Sequence, residues 1–68
     1  ETVYIFEFKT NAKATNQEEA NTLNTALIQI KERNYQEKYL AENKTIFLVG
    51  IEFDINARGV GCVVWERV

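Results

Sequence analysis

The chain has 68 residues, a net charge of −2 at pH 7 and a hydrophobic fraction of 46%. This composition is that of a folded globular protein, and the length allows one small domain or a part of one. With one cysteine and no histidine, the sequence excludes a disulfide framework, a zinc cluster and histidine-dependent acid–base chemistry.

Charge and hydropathy also bear on partners and location. The lysines and arginines form no basic stripe, so tight, sequence-independent binding of DNA by this chain alone is not expected. No apolar run approaches the roughly 18–20 residues of a membrane span, and no signal-peptide pattern opens the chain. We therefore expect a cytoplasmic protein without a membrane partner, and the absence of an initiating methionine favours a segment of a longer polypeptide.

The first predicted strand covers residues 3–9, where β-branched and aromatic residues predominate. Alternation places three aromatic side chains on one face, namely Tyr4, Phe6 and Phe8. The other face carries Val3 and Ile5 and ends in the charged residues Glu7 and Lys9, roughly 6–7 Å apart along the strand. This geometry suits a metal-binding carboxylate beside a charge-stabilising amine, and it equally suits a solvated strand end.

A helix is predicted over residues 16–33. Residues 15–18 match a capping box, in which the Thr15 hydroxyl and the Glu18 carboxylate bond free backbone amides. The residues that follow form an apolar stripe at three- and four-residue spacing, namely Ala20, Leu23, Leu27 and Ile30. Asn34 is expected to end or bend the helix, and residues 35–42 to add a short helical turn that packs Tyr39 and Leu40 inward.

Two further strands follow the helix. The apolar run 46–51 shows no alternation, which predicts a strand in the middle of the sheet that is covered on both faces. Residues 54–59 have turn composition, and residues 60–68 form a last strand. The order β-α-β-β predicts an α+β (mixed α/β) fold with a mixed three-stranded sheet and one long crossover helix, the first two strands parallel and the third antiparallel to the second.

The predicted sheet has more apolar surface than one helix can cover. Both faces of the first two strands are largely apolar, and leaving a large side chain in water forgoes roughly 1.5–3 kcal/mol. We therefore expect the chain either to form a homo-oligomer or to pack against another layer of a parent polypeptide.

The sequence also predicts the roles of four individual residues. Cys62 lies in an apolar stretch and is expected to be a packed thiol rather than a nucleophile. Trp65 is expected in the core or at an interface. Glu52 and Asp54, near a strand end, could bind a cation, but edge and turn roles are favoured.

Three sequence blocks, in this order, resemble a known family. They are the strand 4–9 with its Glu-x-Lys, the segment 29–39 (QIKERNYQEKY) and the segment 46–54 (IFLVGIEFD). The chain resembles the C-terminal part of the PD-(D/E)XK nuclease-like domain of bacterial AAA-ATPase-like proteins, in the restriction-endonuclease-like superfamily. The resemblance implies half of a restriction-endonuclease-like core, from a parent domain that is a Mg²⁺-dependent phosphodiesterase acting on nucleic acid.

The resemblance also implies roles for the matching residues. Glu7 would be the second acidic metal ligand and Lys9 the catalytic lysine, while Gln29, with Tyr35 as a further candidate, would support the active site. From the residues alone, Gln29 fits an ordinary polar position on a helix face equally well, and packing is favoured for Tyr35. A divalent ion held by carboxylates would polarise a phosphodiester and activate a water, and the ammonium would stabilise charge on the attacked phosphate.

One part of the family pattern has no counterpart in this sequence. The superfamily's first acid is an Asp on a strand before the Glu-x-Lys strand, and only Glu1 and Thr2 precede Val3. Glu7 is then an incomplete metal site, where tight binding of Mg²⁺ by this chain is not expected. Three interpretations of Glu7 and Lys9 stay open: an incomplete nuclease site on a chain that is inactive alone, a surface ion pair, and a working site. A self-associating structural module without catalysis is the alternative function, and a binding module is a third.

Overall fold

The computed structural model describes residues 1–34 and 36–68. Its elements, in chain order, are strand β1 (Thr2–Asn11), a 3-10 turn (Gln17–Glu19), helices α1 (Ala20–Leu23), α2 (Thr25–Arg33) and α3 (Gln36–Leu40), and strands β2 (Thr45–Asp54) and β3 (Gly59–Arg67). No helix in these two ranges is both long enough and apolar enough to cross a membrane.

The three strands form one mixed sheet in the order β1-β2-β3. β1 and β2 are parallel, with Val3 opposite Ile46 and Lys9 opposite Glu52. β2 and β3 are antiparallel. The predicted α+β class, the β-α-β-β order and the central position of the second strand are confirmed.

The helical segment is not the single long helix predicted over residues 16–33. Asn24 interrupts it with an extended backbone, ψ 118°, and caps α2, because its side-chain oxygen accepts from the Leu27 amide at 2.9 Å. A side chain that satisfies a free amide in this way starts a new helix. The break leaves Leu23 at the end of α1, where it is 50% exposed instead of joining the predicted stripe.

The ends of the helical segment are set by asparagines. Asn16 is the N-cap of the 3-10 turn and accepts from the Glu18 amide at 3.1 Å, so the predicted capping role of Thr15 is wrong. Asn34 ends α2 as predicted, in the left-handed conformation with φ 56°, and its amide bonds the Ile30 carbonyl at 3.0 Å.

The core lies between α2 and one face of the sheet, which we call the inner face. Its buried residues are Leu27, Ile30, Ile46 and Leu48. Tyr39 packs against this cluster as predicted, whereas Leu40 is 47% exposed, because adjacent residues of a helix point in different directions. Cys62 is buried, which confirms the packed thiol.

The opposite, outer face of the sheet is uncovered by the described residues. Within the described residues β2 is therefore covered on one face only, since Ile46 is buried and its neighbour Phe47 is half-buried. The cover of its second face by another copy or by another layer stays a prediction. Trp65 is 65% exposed, so its predicted core position is wrong and the interface alternative stays a prediction. The rings on this face form a surface that we call the aromatic face, namely Tyr4, Phe6, Phe8, Phe47, Phe53 and Trp65.

Candidate functional site

Glu7 and Lys9 lie on the inner face of β1, the face that turns Val3 and Ile5 toward the core. Both residues are half-buried. β1 is an edge strand of the sheet. The shared face follows from strand alternation, as predicted, whereas the chemical roles of the two residues stay predictions.

The surface ion pair considered for Glu7 and Lys9 is not formed. Across residues 1–34 and 36–68, no ion pair joins these two side chains, although ion pairs do form elsewhere, as between Lys31 and Glu66 at 2.9 Å. The Glu7 carboxylate and the Lys9 ammonium therefore do not neutralise each other.

Gly50, the partner of Glu7 on β2, lets the start of α2 approach the sheet closely. A Cβ at this position would lie 2.6 Å from the Leu27 nitrogen and 2.7 Å from the Asn24 Oδ1. The buried Asn24 side chain also donates from Nδ2 to the Gly50 carbonyl and to the Cys62 Sγ, both at 3.3 Å. These contacts thus fix the start of α2 against β2, the strand that pairs with the Glu7 strand.

Gln29 and Tyr35 are the other predicted site residues. Gln29 is half-buried in α2, the helix that packs against β1 and β2. No hydrogen bond joins Gln29 to Glu7 or Lys9 within the described part of the chain, so its supporting role stays a prediction. Tyr35 lies outside the described residues.

Glu52 is a buried polar residue whose structural role the sequence did not reveal. Its side chain is fully buried, at 0% exposure, on the inner face of β2. The Thr15 amide donates to Oε1 at 2.6 Å and the Thr15 hydroxyl to Oε2 at 2.9 Å. The amide and hydroxyl of Thr25 donate to Oε2 at 2.6 and 2.8 Å. Burial acts to raise the pKa of the Glu52 carboxyl, but these hydrogen bonds outweigh it and hold the pKa below its ordinary value.

Asp54 joins the β2–β3 turn to the loop after β1. Its Oδ2 accepts from the Ala14 amide and its Oδ1 from the Ala57 amide, both at 2.9 Å. The hydrogen bond from the Ala14 amide is the largest of the causes that lower the pKa of Asp54. The predicted turn role of Asp54 is confirmed, whereas Glu52 has a buried role instead of the predicted edge role.

The carboxylates of the described residues do not by themselves fit a Mg²⁺ site. No group of three or more His, Cys, Asp and Glu side chains converges among residues 1–34 and 36–68. The oxygens of Glu52 and Asp54 are occupied by hydrogen bonds. Glu7 offers one hard oxygen ligand of the kind that Mg²⁺ takes, and one carboxylate does not set the octahedral geometry of this ion.

The aromatic face is a second candidate surface, on the other side of the sheet. Its rings stack across the strands, with centroid distances of 5.3 Å for Tyr4–Phe47 and 5.9 Å for Phe8–Phe53. Tyr4 and Phe8 are 58% and 56% exposed. A shallow depression of about 340 Å³ lies on this face. Rings that stack on one another and still face water are ready to pack against a further layer.

Comparison with known proteins gives the family of the chain that contains the Glu-x-Lys strand. Residues 1–62 match the model of a family described as the PD-(D/E)XK nuclease superfamily. The chain belongs to the PD-(D/E)XK nuclease superfamily. The matched range contains the candidate site residues of this superfamily member, namely Glu7, Lys9, Gln29 and Tyr35. The superfamily assignment confirms the broader part of the predicted resemblance.

A curated relative is similar to this superfamily member over a small part of its own length. An uncharacterized protein in the vnfD 5′ region of Azotobacter chroococcum mcd 1 is 38% identical over 66 residues. The match covers 97% of the chain and 11% of the relative. The chain thus spans about a ninth of the length of this relative. No solved structure matches the chain.

The cluster of Glu52, Thr15 and Thr25 in this superfamily member could have been found from one sequence signal. Ile46, Leu48 and Glu52 fall on the same face of a strand, because their spacing is even. A carboxylate on a core-facing position must find hydrogen-bond donors. The unbroken apolar run 46–51 obscures this signal, because such a run is typical of a strand that is buried on both faces.

Proposed function

We propose that the chain supplies the Glu-x-Lys part of a metal-dependent phosphodiesterase site in a nuclease domain that acts on nucleic acid, and that the chain alone is inactive. The observation that supports this proposal most is the placement of Glu7 and Lys9 on one face of β1 in a member of the PD-(D/E)XK nuclease superfamily. Both side chains are half-buried and no ion pair joins them in the described ranges.

In this proposal Lys9 stabilises negative charge on the attacked phosphate, and Glu7 would be one carboxylate ligand of a bound metal. An ammonium that faces a developing negative charge acts most strongly when it is partly shielded from water. A bound Mg²⁺ would supply Lewis-acid chemistry. Since the described residues leave Glu7 as a single free ligand, we propose that a further carboxylate comes from another part of the polypeptide.

We further propose that the whole protein is a bacterial, cytoplasmic, AAA-ATPase-like protein with this nuclease-like region toward its C-terminus. The 11% share of the Azotobacter relative is compatible with a long polypeptide that carries other domains. The sequence blocks 4–9, 29–39 and 46–54 are the basis of the AAA-ATPase-like context.

A second candidate function is a self-associating structural module. The aromatic face supports it, since Phe6 is 52% exposed and Trp65 is 65% exposed on a sheet face that the described residues leave uncovered. Exposed apolar patches of this kind mark interfaces in soluble proteins. A layer from the parent polypeptide would cover the same rings in a complete nuclease domain.

The proposed function is tested by nucleic-acid cleavage with the complete protein that contains the chain and, separately, with the 68-residue chain. Cleavage by the complete protein in Mg²⁺ or Mn²⁺ should be abolished by Glu7→Gln and lowered roughly 10²–10³-fold by Lys9→Ala. The matched controls are Glu19→Gln and Lys38→Ala, which remove the same charges from exposed positions.

The outcomes separate the two candidate functions. Equal cleavage by the wild type, Glu7→Gln and Lys9→Ala proteins would overturn the nuclease proposal. Cleavage by the isolated chain that depends on Lys9 would overturn its expected inactivity. A complete protein without cleavage, in which the chain forms stable oligomers through the aromatic face, would favour the structural module.

A further inference from the structure

Two loops form one surface at the end of the sheet that follows the Glu-x-Lys strand. They are the loop 12–16 after β1 and the turn 55–58 between β2 and β3, and the parallel pairing of β1 and β2 places them at the same end. Hydrogen bonds join the loops: the Asn56 Nδ2 donates to the Ala12 carbonyl at 2.6 Å, the Ile55 amide to the Asn11 carbonyl at 2.9 Å, and the Ala14 amide to Asp54 at 2.9 Å. We call this unit the loop surface.

The loop surface carries two exposed cations, Lys13 and Arg58. Neither forms an ion pair within the described ranges, whereas Lys31 and Lys44 pair with carboxylates. The charge of Lys13 is nevertheless felt by Asp54, since it is one of the causes that lower the pKa of that carboxyl. The acids of this end, Glu52 and Asp54, turn their oxygens to backbone and side-chain donors.

The charge of this end differs from that of the chain as a whole. Residues 9–16 and 52–59 contain three cations and two acids, while the rest of the chain contains five cations and eight acids. The net charge of −2 therefore conceals an excess of one positive charge at this end, in a count that includes Lys9 itself.

Arg58 occupies an unusual backbone position. Its φ is 57°, in the left-handed region where glycine or asparagine is far less strained than a long side chain. A bulky residue that is kept in such a conformation points to a use for its side chain. A glycine at this position would be less strained but would lack the guanidinium.

We propose that Lys13 and Arg58 bind phosphates of the nucleic-acid backbone next to the Glu-x-Lys strand. The inference rests on the proposed function and deepens it by naming the residues that hold the substrate. The guanidinium fork matches the oxygens of a phosphate, and an ammonium acts on phosphate as a point charge. The hydrogen bonds of Ala12, Ala14, Ile55 and Asn56 join the two loops that carry the cations.

The test measures binding of the complete protein to a labelled DNA duplex, and to a single strand of the same length, by fluorescence anisotropy over a range of salt concentrations with a chelator present. The double variant Lys13→Ala/Arg58→Ala should lower the slope of log affinity against log salt by about 2, and lower the affinity roughly eightfold per substitution near 0.1 M salt. The matched control is Lys38→Ala/Arg67→Ala, which removes the same charges from residues outside the loop surface. Equal losses in the two double variants, or no loss in the first, would overturn the inference.

A single variant separates binding from folding. Arg58→Gly removes the guanidinium and also the left-handed strain, so its thermal midpoint should rise while its affinity for DNA falls roughly eightfold near 0.1 M salt. An unchanged affinity would show that the guanidinium does not contact phosphate. A lower midpoint would assign Arg58 a structural role and count against the inference.

The two proposals fail in different ways. If the wild-type protein binds and cleaves nucleic acid and the Lys13 and Arg58 variants keep its affinity, the phosphate contacts are wrong and the nuclease function stands. If the wild-type protein neither binds nor cleaves DNA or RNA, both proposals are overturned.

Discussion

The amide of Thr25 donates to the Glu52 carboxylate at 2.6 Å, and the hydroxyl of Thr25 donates to the same oxygen at 2.8 Å. Thr25 is the first residue of α2, so the buried carboxylate of β2 lies at a helix start, where free amides and the helix dipole favour negative charge. Thr15 adds two more donors from the connection after β1. One side chain thereby holds a loop, a helix and the central strand together.

Replacing Glu52 by glutamine should destabilise the fold by about 2–4 kcal/mol. The amide nitrogen of Glu52→Gln would face donors where the carboxylate offers acceptors, so buried hydrogen bonds are lost without a change of shape. Urea unfolding followed by circular dichroism measures the difference. Glu66→Gln, on a partly exposed side chain, is the control and should shift the free energy by less than about 1 kcal/mol. Equal effects of the two substitutions would contradict the structural role of Glu52.

The stability of the fold should fall in acid because of Glu52 and Asp54. The pKa values of both carboxyls lie below their ordinary values of 4.5 and 3.8, so the folded state binds protons less readily than the unfolded chain does. The stabilisation is therefore fully present above the ordinary values and is lost as the pH falls through the lower, folded-state pKa values. Thermal unfolding midpoints between neutral pH and pH ~2 measure the loss. In Glu52→Gln the acid decline should be shallower, and an identical decline would contradict the assignment.

Substituting Gly50 by alanine should displace the start of α2 from the sheet. The new Cβ would meet the Leu27 backbone nitrogen at 2.6 Å, and backbone atoms cannot rotate away as a flexible side chain can. A cost of about 1–3 kcal/mol is expected for this overpacking, measured by chemical unfolding. Gly59→Ala is the matched control, since no atom lies within 4 Å of its Cβ position. A neutral Gly50→Ala together with a destabilising Gly59→Ala would refute the close approach.

Self-association, if it occurs, should depend on the aromatic face. Trp65→Thr and Phe6→Thr remove rings that are 65% and 52% exposed, so each should shift sedimentation toward the monomer while changing the unfolding of the monomer by less than about 1 kcal/mol. Ile28→Thr is the control, because Ile28 is 40% exposed on the helical side of the molecule. A wild-type chain that is monomeric at all concentrations would exclude this face as a contact between copies.

The strands were predictable because their signals are local. Alternation in residues 3–9 assigned Glu7 and Lys9 to one face, and the structure places them there. The superfamily blocks then supplied the chemical interpretation, which composition alone could not give. The geometry of β1 therefore required no knowledge of distant contacts.

The break at Asn24 was not predictable because its causes are distant in sequence. Asn24 fits the helical pattern locally, and its buried amide is satisfied by the Gly50 carbonyl and the Cys62 sulfur. The donors that surround Glu52 were not predictable for the same reason, since Thr15 and Thr25 belong to other elements. Buried polar partners that meet only in the folded chain leave little trace in a local pattern.

The parallel pairing of β1 with β2 also has a consequence for the order of folding. β3 follows β2 after a short turn, whereas the whole helical segment separates β1 from β2 in the sequence. The pairing of β1 with β2 therefore has the larger entropic cost of loop closure. We expect the amides of the β2–β3 hairpin to gain protection before those of β1 in pulsed hydrogen exchange, and simultaneous protection would contradict this order. The strand that carries Glu7 and Lys9 is then the last to join, and the candidate chemistry arises only when folding is complete.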